Sequence, residues 1–160
     1  VAKIMEALAT IIILLHPIAA LGLIWVFFNQ RKWREKGSLL KSDNRKSALK
    51  NHEEVGEKLT YGVMGVILLA FVSKAIYFSI INGSFSSTNL LPGHFHGWVG
   101  LLGLAMILYL RKLGRSVKSK RDSGQSFSQI KDLHGRISDI MALLIVIHAF
   151  LGFLYLFKFL

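Results

Sequence analysis

Pro92-Gly-His-Phe-His-Gly-Trp-Val-Gly-Leu-Leu-Gly103 decides how this chain is read. Proline and glycine ahead of an apolar run predict a helix start, because proline suits the first helical turn. In that helix His96, Gly100 and Gly103 fall at i, i+4 and i+7 on one face. The face offers an imidazole and almost no bulk. It suits a flat cofactor lying against the backbone with the imidazole reaching its metal. It also suits close helix packing through small residues, with His96 hydrogen-bonded across a bundle.

Outward from this stretch the chain is strongly apolar, with 52% hydrophobic residues and a mean hydropathy of +0.47 over 160 residues. Apolar runs cover 7–28, 59–81, 92–110 and 137–160, each near the roughly 20 residues that cross a bilayer. The expected fold is all-α: an integral membrane four-helix bundle forming a single transmembrane domain over 1–160. The net charge of +11 would suggest nucleic acid in a soluble protein, but its placement points elsewhere. Seventeen of the 20 Lys and Arg lie in two segments, within 29–58 and 111–136, and none lies in Asn82–Gly93. By the positive-inside rule both basic loops face the cytoplasm or its organellar equivalent, which places both termini on the non-cytoplasmic side. The partner of these charges is then an anionic lipid leaflet rather than nucleic acid. Zero cysteines exclude disulfides, iron–sulfur clusters and covalent c-type haem within the chain. A start at Val1 is consistent with removal of a presequence, which suits an organelle-imported or exported protein.

The first run carries His16-Pro17 near its middle, where proline loses a backbone hydrogen bond and predicts a kink beside the imidazole. A histidine at mid-bilayer is costly without a partner, so His16 is a candidate ligand. Trp25 and Trp33 flank the exit as an interfacial belt. Asn51-His-Glu-Glu resembles a helix start, with His52 at the mouth of the second span. Lys74 near the far end of that span snorkels to the surface or pairs with a cofactor carboxylate. The segment 111–131, rich in Lys, Arg, Ser, Gly and Gln, is expected to be a mobile linker. His134 then opens the fourth helix, and His148 lies deeper in it.

Counted from the cytoplasmic helix ends at about 1.5 Å per residue, His16, His96 and His148 share a level roughly 16 to 21 Å deep. His52 and His134 share another at the cytoplasmic face. Two levels on antiparallel helices are what two stacked b-type haems with bis-imidazole ligation require. The residue four places after each of these five histidines is small: Ala20, Gly56, Gly100, Ser138 and Gly152. The chain lacks His-Glu-x-x-His and the Gly-rich phosphate loop. Protein-bound chlorophyll is the competing cofactor, because one histidine beside a glycine-lined face ligates magnesium as well as iron.

His16-Pro17, His52, His96-Gly-Trp-Val-Gly-Leu101 and His134 together resemble the cytochrome b561 core, across nearly the whole chain. The chain also resembles an uncharacterised four-helix family of cyanobacteria and plastids. The resemblance implies two haem b groups, at least one of them present, with His16 paired to His96 and His52 to His134. It departs from the b561 pattern in three ways: two outer helices are absent, Gly97 replaces a serine, and His148 is an additional candidate. By depth, Arg136 and Arg111 could pair with propionates of the cytoplasmic-side haem, and Lys74 with those of the other. The function expected is transmembrane electron transport, as a carrier or an oxidoreductase with unassigned donor and acceptor, in a thylakoid, plastid or bacterial inner membrane. The rival is a structural or assembly subunit of a larger membrane complex, such as a photosynthetic one, whose histidines hold chlorophyll or link helices.

Overall fold

The computed structural model describes residues 2–32, 42–83 and 91–157. Val1, residues 33–41 with Trp33, residues 84–90 of the uncharged loop and residues 158–160 lie outside the described residues. The fold is all-helical, with no strand among the described residues. Helix α1 is Ala2–Arg31, α2 Ser42–Asn82, α3 Phe95–Asp122 and α4 Ser128–Leu156. All four are long and apolar enough to cross a membrane. Leu21, Leu68, Leu143 and Phe150 are each more than half exposed, as side chains facing lipid are.

The helices outrun their apolar cores. Helix α2 has 41 residues, about 60 Å at the helical rise, twice the hydrocarbon thickness of a bilayer. Its start at Ser42 puts Asn51 in mid-helix, so the expected start at Asn51 is corrected by nine residues. The linker expected over 111–131 is likewise mostly helix. Helix α3 continues to Asp122 because Lys and Arg are good helix formers, and Leu113 keeps one flank buried. It stops at Gly124, whose φ of +71° only glycine adopts without strain. Gly124 N–H bonds to the Arg121 carbonyl and Gln125 N–H to that of Lys120, the Schellman closure of a helix end.

The start of α3 also differs from the expectation at Pro92. The helix begins at Phe95 with His94 as its cap, and the His94 Nδ1 accepts from Gly97 N–H at 3.2 Å. Pro92 instead folds over the first turn, where a Cβ on Gly97 would stand 2.8 Å from the Pro92 Cβ.

Helices α1 and α2 form one closely packed hairpin and α3 and α4 a second, while packing between the hairpins is thin. At Gly62 a Cβ would meet Leu23 at 2.8 Å, which shows how closely the first pair approaches. Across the seam lies a small apolar core drawn from all four helices: Phe27, Leu59, Ile107, Leu110, Met141 and Ala142. Polar contacts supply the rest. Arg111 Nε donates to Glu57 at 2.8 Å, Arg115 Nε to Glu57 at 2.6 Å and Arg121 Nη1 to Glu53 at 2.6 Å, clamping α3 to α2. Arg31 and Asp139 tie α1 to α4 at 2.5 Å.

Candidate functional site

Three of the candidate histidines converge. His16 from α1, His96 from α3 and His148 from α4 each place a ring nitrogen within 4.8 Å of the others, and all three are half buried. The depth count from sequence put these three on one level, and the fold brings them to one point. Each hairpin contributes: His16 from the first, His96 and His148 from the second.

Backbone carbonyls orient two of the rings. His16 Nδ1 donates to the Val66 carbonyl of α2 at 3.2 Å, and His96 Nδ1 donates to the His148 carbonyl at 3.0 Å. A donating Nδ1 carries the proton and leaves Nε2 as a lone pair, the tautomer a metal-bound histidine needs. The His16 and His96 ring centres lie 6.3 Å apart at an interplanar angle of 78°. His148 stacks on His96 at 3.9 Å and 16°. The Nδ1 of His148 is buried.

Glycines make room for the stacked pair in a reciprocal way. A Cβ on Gly100 would stand 3.0 Å from Cε1 of His148, and one on Gly152 2.7 Å from Cε1 of His96. Each imidazole thus lies over the glycine four residues beyond the other. The glycine face of α3 is therefore covered by α4, with Met141 and Leu144 against Gly103, rather than left as an open slot at that helix.

His52 and His134 occupy the second level. Gln30 of α1 grips His52 from both sides: His52 Nδ1 donates to Gln30 Oε1 at 3.0 Å, and Gln30 Nε2 donates to the His52 carbonyl at 3.2 Å. The His134 ring lies against Gly114, where a Cβ would be 3.6 Å from it. Sequence reading missed both Gln30 and Gly114. Neither lies near its histidine in sequence, so only the register of packed helices reveals them.

The basic residues proposed for propionates have other surroundings. Arg111 is engaged with Glu57 and with the Tyr61 hydroxyl at 2.7 Å, so its guanidinium is already committed. Arg136 is exposed, two residues from His134. Lys74 Nζ donates to the Leu91 carbonyl at 2.9 Å, tying the end of α2 to the entry of α3.

The stretch of α2 before its apolar run carries Glu53 and Glu57. Burial pushes the Glu53 carboxyl upward, but hydrogen bonds from Arg121 and Lys118 outweigh it and leave it below the usual carboxylate range. Glu57 is lowered as well, first by its hydrogen bond from Arg115.

Fold and site together define an all-helical chain with four helices long and apolar enough to span a membrane and two levels of half-buried imidazoles. Comparison with known proteins adds nothing to this class: no family model, curated protein or solved structure matches the chain.

Proposed function

We propose that the chain is an integral membrane b-type cytochrome that carries electrons across or within the bilayer, with one haem between His16 and His96 and a second between His52 and His134. The observation that carries this reading is the His16–His96 pair, one imidazole from each hairpin, with both Nδ1 protons donated to backbone carbonyls. Two imidazoles sharing one metal at a metal–nitrogen distance of roughly 2 Å hold their ring centres about 6 Å apart. The observed 6.3 Å fits that requirement. The thin packing between the hairpins is where a macrocycle fits with least displacement of apolar side chains.

When bound, haem supplies a one-electron iron couple whose potential the imidazoles and their hydrogen bonds tune. The chain's own residues do the rest. Val66 and His148 carbonyls hold His16 and His96 in the ligating tautomer, and Gln30 does the same for His52. The layer of Phe27, Leu59, Leu110 and Met141 lies between the two imidazole levels. It bars water and ions, whose transfer into apolar surroundings is costly, while electrons tunnel through it. That layer favours electron transfer over ion conduction.

The reduced-minus-oxidised spectrum of the purified protein tests the pairing. Wild type should give the sharp bands of low-spin bis-imidazole haem, and His16→Ala or His96→Ala should each remove one component. Loss of that component in His148→Ala instead, with His96→Ala unaffected, would assign the wrong partner to His16.

A further inference from the structure

We infer that His16, His96 and His148 form a site for a bare divalent first-row transition-metal ion, a second occupant of the centre that excludes the macrocycle. This inference does not rest on the haem reading. A haem between the hairpins uses one imidazole from each side, and the 3.9 Å stack of His96 on His148 leaves no space for a macrocycle between those two rings. A bare ion is small enough to use all three.

The geometry is close to what such an ion needs. With metal–nitrogen bonds of 2.0–2.1 Å, tetrahedral donors stand roughly 3.4 Å apart. The three nitrogens lie within 4.8 Å of one another, and an ion would draw them together by turning His148 out of its stack on His96, because imidazole lone pairs lie in the ring plane and stacked rings cannot converge on one metal. Two of the rings are oriented in advance by the Val66 and His148 carbonyls, the outer-shell contact that ligating histidines commonly make. The third, His148, lies flat against His96 at 3.9 Å with its Nδ1 buried.

The donor set selects the ion. Three neutral imidazoles, with no carboxylate in the cluster among the described residues, suit Zn²⁺, Co²⁺, Ni²⁺ or Cu²⁺ and not Mg²⁺ or Ca²⁺. Three protein ligands leave a fourth position open, as catalytic rather than structural zinc sites do. A mostly apolar cleft of about 190 Å³ lined by His94, Phe95, His96, Leu151, Leu154 and Tyr155 opens beside His96.

The test uses full-length protein carrying no histidine tag, purified in detergent from haem-depleted cells and titrated with Co²⁺. One equivalent should bind and give the intense visible ligand-field bands of a four-coordinate site. His148→Ala should weaken binding at least tenfold, and Zn²⁺ should raise the thermal midpoint of wild type but not of His148→Ala. Circular dichroism in metal-free buffer checks that the variant is folded, and His148→Asn provides a second, milder truncation. Absence of Co²⁺ uptake, or uptake that neither His148 variant changes, would overturn the inference. Wild type from haem-replete cells separates the two readings. Haem there with no Co²⁺ binding in the depleted protein leaves the cytochrome and removes the ion site, whereas Co²⁺ binding with no haem under either condition does the reverse.

Discussion

Gly97 shows how one residue records the fold. Pro92 lies so close that a Cβ there would stand 2.8 Å from the proline ring, which accounts for a glycine at this position. Gly97→Ser should therefore force the Pro92 segment outward and destabilise the protein by about 1 to 3 kcal/mol, seen as a lower thermal midpoint in detergent. An unchanged midpoint would mean that this segment yields freely. Gly152 has the same relation to His96, with 2.7 Å to the imidazole carbon. Gly152→Ala should displace His96 and reduce retained metal or haem without unfolding the helix, since alanine is the better helix former. The candidate histidines were legible because depth follows from counting residues along a helix from its end. Gln30 was not, because its hold on His52 depends on the register between two helices, which hydropathy does not encode.

At the scale of elements, hydropathy located the four long apolar helices but not their ends. Leu110 closes the third apolar run, yet α3 continues for twelve residues because its basic extension is paired with Glu53 and Glu57. Ion pairs between helices leave no periodic trace in either sequence segment, so the extension resembled a linker. These pairs also predict a pH dependence. Both carboxyls are lowered in the folded state, so their contribution is complete above the unfolded value of about 4.3 and is lost as pH falls through the lowered value. The thermal midpoint in detergent should thus hold from neutral pH to about 5 and fall below about 4.3, with the fall shallower in the Glu53→Gln/Glu57→Gln double variant. Salt should weaken the clamp, since its pairs are partly exposed. An identical acid limb in wild type and double variant would assign acid sensitivity to other groups.

For the whole molecule, two hairpins meet over a small apolar core and otherwise through imidazoles and ion pairs. The charge distribution adds a topological prediction: the turn at 123–127 faces the side opposite both termini. Protease access or reporter tags should find that turn on the cytoplasmic or equivalent side, and accessibility from the side of the termini would refute the positive-inside reading. The central claim is that the imidazole levels hold haem. Its most direct test is the haem-to-protein ratio, by pyridine haemochrome, of wild type purified from haem-replete cells beside His16→Ala and His52→Ala. Two haems per chain in wild type and one in each variant is the expected result. A wild-type protein that carries no haem would contradict it.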